Sequence, residues 1–379
     1  MTIALINGRV MLPGALRDDT GIVVEGSAIA AVTRQPPPNA QIVDLDGALL
    51  LPGFIDVQVN GGAGVLFNDD PTVEGIAAIG AAHRRFGTTG FLPTLISDDL
   101  ATVAAAIAAA DEAIAAGVPG VLGLHIEGPF LASPRRGIHR ADRLRVLRDE
   151  DIALFSSLSR GRTLVTLAPE AASLAQIAQL AAAGVVVALG HSDADYDTTR
   201  AAFAAGASGV THLFNAMSGF SHRAPGMVGA ALEDDAIFAG VIADGHHLHP
   251  AALRVALKAK GPERIMLVTD AMPSVGSDTD SFHLQGRQIR LSEGMLTDEA
   301  GTLAGSHLTM AAAFANVMAQ TAASIADASR MASGTPAAFL RLADRLGAIA
   351  PGMQADLVAL DDAGQVTATW IAGEAHRQG

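Results

Sequence analysis

Cysteine is absent from all 379 residues. That removes disulfides, thiolate zinc sites and a cysteine nucleophile together, so any bound metal must rest on imidazole and carboxylate groups. Basic residues are scarce, 25 against 39 acidic ones, for a formal charge of -14. A nucleic-acid binder needs a basic face to neutralise phosphates, so no nucleic-acid partner is expected. A small phosphorylated ligand stays compatible, because one Arg in a cleft can dominate its surroundings. Long uninterrupted apolar runs are missing as well. The alanine-rich stretch from Ala101 to Val118 is broken by Asp111 and Glu112 and reads as a packed helix, so no membrane partner is expected. The opening Met-Thr-Ile-Ala-Leu-Ile-Asn-Gly-Arg-Val has no basic leader followed by an apolar core, and the expected compartment is the cytoplasm. Gly61-Gly62-Ala63-Gly64 lacks both the Walker lysine and the dinucleotide spacing, which leaves a tight turn near the site.

What is present is a chain with 50% hydrophobic and 17% charged residues, the balance of a globular enzyme. Short β-like runs alternate with turn signals near the start: Ile3–Ile6, Gly21–Glu25, Ala28–Thr33 and Gln41–Leu45, with Pro36-Pro37-Pro38 as a stiff connector. The same texture returns at Ala355–Leu360 and Val366–Ile371. This predicts one small β-sandwich domain built from residues 1–50 and 347–379. Between them, residues 51–346 give eight candidate strands, mostly followed by helical pattern. They fall near Leu51–Val59, Thr89–Leu95, Val121–Ile126, Thr163–Leu167, Val185–Gly190, Gly209–Leu213, Phe238–Ala243 and Arg264–Thr269. Val73–Phe86 and Ser173–Ala183 show apolar spacing of helical period. Eight βα units predict an α/β fold, a closed (β/α)8 barrel rather than an open doubly wound sheet. A β-like insert, Ser281–Ser292, interrupts the long loop Ala271–Glu299.

Chemistry gathers at the strand ends. Glu127 closes the third strand, His191 the fifth and His212 the sixth, while Asp270 follows the eighth. A closed parallel barrel brings these ends to one mouth, where such enzymes hold their active sites. Each residue alone reads equally well as an ordinary polar group opening a loop. Together they offer two imidazoles and a carboxylate for a divalent metal, with Asp270 placed to act as general base. The tract Asp-Gly-His-His-Leu-His-Pro holds His246, His247 and His249, of which one is expected to face the pocket.

The motifs Pro52-Gly53-Phe54-Ile55-Asp56, His125-Ile126-Glu127-Gly128-Pro129-Phe130, Gly190-His191-Ser192, Thr211-His212-Leu213-Phe214-Asn215-Ala216-Met217 and Val268-Thr269-Asp270-Ala271 resemble those of the N-acetylglucosamine-6-phosphate deacetylase family. That family is a branch of the amidohydrolase superfamily. The resemblance runs from the first strand to Gly352-Met353-Gln354-Ala355-Asp356-Leu357. It implies metal-dependent hydrolysis of the N-acetyl group of N-acetyl-D-glucosamine 6-phosphate, giving acetate and D-glucosamine 6-phosphate. Matched position by position, Glu127, His191 and His212 are its metal ligands, Asp270 its acid/base, and His139 the group that helps polarise the acetyl carbonyl. Ile138, Asn215, Ala216, Arg223 and His247 match groups that contact substrate, and Leu303, Ala304 and Gly305 match a loop near the acetyl group. The matching arginine reaches across a dimer interface in that family, which implies a homodimer in which Arg223 serves the neighbouring subunit.

Gln58-Val59-Asn60 stands where two-metal members carry His-Xaa-His. An amide oxygen is a poor transition-metal ligand beside imidazole, so one metal per chain is expected, with zinc the leading candidate. The fourth strand, Leu164-Val165-Thr166-Leu167, offers no lysine for a carboxylated bridge. Deacetylation of the galactosamine epimer stays open at this point, as does a non-catalytic sugar-phosphate-binding protein on the same barrel.

Overall fold

Gly53 divides what the sequence reads as one strand. Leu49–Pro52 belongs to a six-stranded sheet and Phe54–Val59 to the barrel. The break has a steric cause: a Cβ on Gly53 would lie 2.0 Å from Thr89 Oγ1, so only glycine lets the chain pass there. The Gly53 N–H donates to the Asp356 carbonyl at 2.8 Å, next to the pairing of Pro52 with Leu357 in the six-stranded sheet.

The structure is a computed structural model that describes residues 2–377. Its centre is a parallel eight-stranded sheet: β1 (Phe54–Val59), β2 (Thr88–Ile96), β3 (Gly123–Glu127), β4 (Arg162–Leu167), β5 (Val186–Leu189), β6 (Gly209–Val210), β7 (Phe238–Val241) and β8 (Ile265–Leu267). Each strand pairs with its neighbours in sequence, as a barrel requires. Closure comes where a single bridge joins Val59 to Ala271 and the Asp270 N–H donates to the Gln58 carbonyl at 2.9 Å. Strands β6 and β8 are shorter than the sequence suggests, because the chain turns inward as soon as it reaches the mouth.

Several helices begin at polar caps. Thr72 caps Val73–Arg84, Asp99 caps Leu100–Ala115, and Ser173 with Gln176 forms a reciprocal capping box before Leu174–Ala182. None of the helices among the described residues is long and apolar enough to cross a membrane.

The chain ends build two further sheets. Ala28–Thr33, Gly21–Glu25, Thr2–Ile6 and Gln41–Asp44 form one of four strands. Strands from both ends form the other, in which Leu51 pairs with Val358. Leu5, Ile22, Ile29, Leu50, Leu357 and Trp370 share one apolar cluster between them. The insert after β8 is larger than Ser281–Ser292. It is an antiparallel sheet of Ser281–Leu284, Arg287–Ser292, Met295–Thr297 and Leu303–Ser306. It packs through Leu284, Ile289 and Leu296 on Ile96, Ile138 and Met272 beside the barrel mouth.

Candidate metal centre

Three of the polar strand-end residues have a backbone that L-residues seldom adopt. His191, His212 and Asp270 sit at φ 50°, 33° and 53°, in the left-handed region. The kink at each position turns a chain leaving the barrel back across its mouth. Such strain persists only where the surrounding structure over-determines it, and it clusters at working sites.

The side chains converge. Glu127 Oε1 lies 3.2 Å from His191 Nε2 and 3.1 Å from His212 Nε2, and the two Nε2 atoms are 3.1 Å apart. The Arg135 carbonyl, 2.9 Å from His191 Nδ1, can only accept, so that nitrogen carries the proton and Nε2 presents a lone pair. Lone pairs of nitrogen and oxygen meeting in a buried space repel one another unless a cation lies between them. One carboxylate and two imidazoles are the donor set of a catalytic divalent metal with a position left open. The residues fit such an ion. Burial pushes the Glu127 carboxyl up, but positive charge at the His191 and His212 positions outweighs it and holds the group well below its usual range.

His139 is the third imidazole within reach, and Glu127, His139 and His191 can also bring ligand atoms within 4.8 Å of one another. We favour His212 as the ligand because His139 is committed elsewhere. The Ser97 backbone N–H donates to His139 Nδ1 at 3.3 Å and the Ser97 hydroxyl lies 2.8 Å from the same atom. Nδ1 is thus an acceptor, and Nε2 carries a proton that can be donated. Burial, reinforced by His191, lowers the His139 pKa to about 3, so the ring is neutral.

Asp270 lies across the pocket from this set. Its Oδ1 accepts from Asn60 Nδ2 at 2.5 Å and from Gln58 Nε2 at 3.2 Å, while Gln58 Nε2 also lies 3.2 Å from Glu127 Oε1. The two strand-one amides, Gln58 and Asn60, therefore hold the carboxylates. Burial first, and the Glu127 charge second, raise the Asp270 pKa to about 6. Below it, Thr269 Oγ1 donates to Asp56, whose carboxyl burial raises to about 7.

These groups line a cavity of about 380 Å3. Glu127, Ile138, His139, His191, His212, Asn215, Ala216, His247, Asp270, Leu303 and Gly305 all reach it. His247 is held by Asp244, whose Oδ2 lies 2.6 Å from Nδ1. His246 is exposed, and His249 caps the helix Pro250–Lys260. Ala304 turns into the apolar cluster under the insert instead. Arg223 is exposed and is not among the residues lining the cavity of its own chain. Ile96, Gly137, Ile242, Met272, Gly301 and Thr302 also line it, and sequence reading missed them, since small and apolar residues carry no chemical signal. A larger groove of about 550 Å3 in the terminal sheets, beside Asp44 and Asp362, brings together no comparable set of imidazoles and carboxylates.

Comparison with known proteins agrees with this geometry. The sequence pattern of the Amidohydrolase family matches residues 49–375. The chain is 47% identical over 332 residues to an N-acetylgalactosamine-6-phosphate deacetylase of Shewanella sp. (strain ANA-3), covering 87% of this chain and 84% of that one. It is 39% identical over 394 residues to the N-acetylglucosamine-6-phosphate deacetylase of Bos taurus, covering 98% and 95%. The crystal structure of N-acetylglucosamine-6-phosphate deacetylase from Pasteurella multocida superimposes over 100% of both chains with a TM-score of 0.97 at 34% identity. With its barrel, its strand-end ligands and these relatives in view, the chain belongs to the amidohydrolase family, in the branch formed by the N-acetylglucosamine-6-phosphate and N-acetylgalactosamine-6-phosphate deacetylases.

Proposed function

We propose that this chain hydrolyses the N-acetyl group of N-acetyl-D-glucosamine 6-phosphate to acetate and D-glucosamine 6-phosphate. The observation that carries the reading is one cavity holding the Glu127–His191–His212 convergence, a half-buried carboxylate in Asp270 and a neutral donor in His139. A divalent ion held by those three ligands supplies Lewis-acid polarisation and acidifies water. Asp270 takes the proton from water as its oxygen forms a bond to the acetyl carbon. The charge that develops on the carbonyl oxygen meets the His139 Nε2–H, a donor already in place before reaction. As the carbon–nitrogen bond breaks, Asp270 returns its proton to the departing amine, and acetate and the free amino sugar result.

On this reading His247, held by Asp244, and Asn215 and Ala216 line the sugar and phosphate side of the cavity. Arg223 completes the phosphate site of the other subunit in a homodimer. Its exposed position outside its own cavity supports that role. One zinc ion per chain is the metal we propose, because Gln58 and Asn60 already donate to the carboxylates and leave no second imidazole pair. The terminal sheets form one unit beside the barrel, supported by their shared apolar cluster. A cytoplasmic location suits a substrate whose charge bars it from crossing a bilayer unaided.

The galactosamine epimer is a second reading, and the 47% identity to a deacetylase of that sugar phosphate favours it. One assay decides both. Amine release from zinc-loaded protein is measured on the two 6-phosphate epimers and on unphosphorylated N-acetylglucosamine. A higher kcat/KM on the gluco than on the galacto phosphate supports the first reading, and the reverse order replaces it with the second. Equal turnover of the unphosphorylated sugar removes the phosphate assignment. No turnover of any, with metal bound, removes the deacetylase reading.

A further inference from the structure

Ser97 follows β2 at a point where four parts of the molecule meet. Its backbone N–H donates to His139 Nδ1 at 3.3 Å, and its hydroxyl approaches the same nitrogen at 2.8 Å. Its carbonyl accepts from Gln285 Nε2 at 2.9 Å. The hydroxyl occupies space that only glycine leaves free, since a Cβ on Gly128 would lie 2.2 Å from Ser97 Oγ. Gly128 follows the ligand Glu127 directly and holds φ +90°, a second reason for glycine there. Both Ser97 and His139 are at most 2% exposed, so water does not compete for these contacts.

Gln285 comes from outside the barrel. It stands at φ 49° in the turn between Ser281–Leu284 and Arg287–Ser292 of the inserted sheet. That sheet packs Leu284 and Ile289 against Ile96 and Ile138, the residues immediately before Ser97 and His139. The inserted sheet thus packs beside both residues and adds one hydrogen bond to Ser97.

We infer that Ser97 is the positioning residue that fixes His139 as its Nε2–H tautomer, and that Gln285 ties the inserted sheet to this arrangement. This rests on the reading of His139 as the donor to the acetyl oxygen. A histidine with the opposite tautomer would present a lone pair to the developing negative charge and repel it. The Ser97 N–H prevents this by requiring an acceptor at Nδ1, and the hydroxyl, which turns to suit, donates to the same lone pair and strengthens the preference. Gln285 acts one step further out, by holding the Ser97 peptide.

The test uses the full-length, zinc-loaded protein with 15N-labelled histidine, and His139→Gln assigns the signal. The wild type should show His139 as the Nε2–H tautomer; an Nδ1–H tautomer there overturns the inference without any variant. Ser97→Ala should lower kcat about tenfold with KM little changed, the size expected for one lost net hydrogen bond. The His139 nitrogen signals should move towards a tautomer mixture. Gln285→Ala should lower kcat by about threefold and shift the same signals less, on the scale of a weaker, indirect contact. Because both act on one ring, the double variant should cost less than the product of the two single losses. Unchanged kcat and unchanged nitrogen signals in Ser97→Ala, or fully multiplicative losses in the double variant, overturn it. If Ser97→Ala does not fold, Gln285→Ala and the wild-type spectrum still decide. Full activity of His139→Gln removes the carbonyl-polarising role alone, since the tautomer measurement reads the Ser97 contact independently.

Discussion

Replacing Asp270 by Asn changes almost nothing in shape and removes one capacity, that of accepting a proton. The neighbours indicate how clean the change should be. Asn60 Nδ2 and Gln58 Nε2 both donate to Oδ1, an oxygen that the amide retains. The backbone at φ 53° is no harder for Asn than for Asp, since both tolerate the left-handed region. Fold, metal content and substrate binding should therefore survive, with KM within about threefold of wild type on the logic that uniform binding is untouched. The rate should not survive. A positioned general base or acid contributes about 10²–10⁴-fold, and this group serves in both halves of the reaction, so kcat should fall by about 10³–10⁴-fold. The wild-type pH profile carries a linked expectation. Burial and the Glu127 charge raise the Asp270 pKa to about 6, whereas a cation beside Glu127 lowers it. The base must be ionised, so activity should fall as pH drops, with its acid limb at or below pH 6. The assay is steady-state amine release across pH 4–9 on both proteins, with metal content measured alongside. A kcat within tenfold of wild type in Asp270→Asn at full metal occupancy, or an acid limb above pH 7, would refute the reasoning.

Arg223→Ala should raise KM for the phosphorylated sugar by about 10–100-fold, the scale of hydrogen bonds to a charged group. Mixing Arg223→Ala and Asp270→Asn chains under exchange should restore about a quarter of wild-type activity, because half of the symmetric pairs would carry one intact shared site. No recovery on mixing would place Arg223 outside the partner's pocket. Gly123→Ala should destabilise the fold by about 2–5 kcal/mol and lower Tm by about 5–15 °C. Its new Cβ would meet the Arg162 backbone oxygen at 1.9 Å on the neighbouring strand. A Tm within 2 °C of wild type by calorimetry, flagged against the roughly 2–4 °C expected per kcal/mol, would contradict that clash. His83 is wholly buried, lies 2.9 Å from the Gly61 carbonyl through Nε2, and burial lowers its pKa to about 4. The unfolded chain takes up the proton more readily, so this group's contribution is complete above pH 6.5 and is lost as pH falls towards 4. Denaturant titrations should show wild type losing about 3 kcal/mol more than His83→Gln over that window, and parallel curves would exclude the assignment.

Much of the barrel was legible because buried parallel strands read as short apolar runs, and polar residues that end such runs stand out. Glu127, His191, His212 and Asp270 carry that signal in the sequence, and the structure brings them to one cavity. The strand limits were less legible. The sequence continued β6 through Leu213 and β8 through Thr269, whereas the strands stop at Val210 and Leu267, and positive φ at His212 and Asp270 marks where the backbone leaves the strand conformation. Periodicity reports which face is buried and is silent on such kinks. Gly53 was hidden for a related reason, since its necessity lies in the distant Thr89 side chain. Gln58 and Asn60 were legible only as missing ligands, and their hydrogen bonds to two carboxylates needed coordinates. Ser97 gave no signal at all, because a serine following a strand is commonplace.

The pairing of Leu51 with Val358 has a consequence for biosynthesis. The first strands emerge from the ribosome long before their partners exist, and elongation at about 5–20 residues per second leaves them waiting for tens of seconds. Through that interval Leu49–Pro52 presents an unpaired edge and the apolar cluster around Leu50 stays half-built. Unpaired edges of this kind invite association with other chains. Nascent chains stalled before residue 357 should be aggregation-prone, and a truncation that removes the last strands should fail to accumulate as folded protein even though every candidate catalytic residue remains in it.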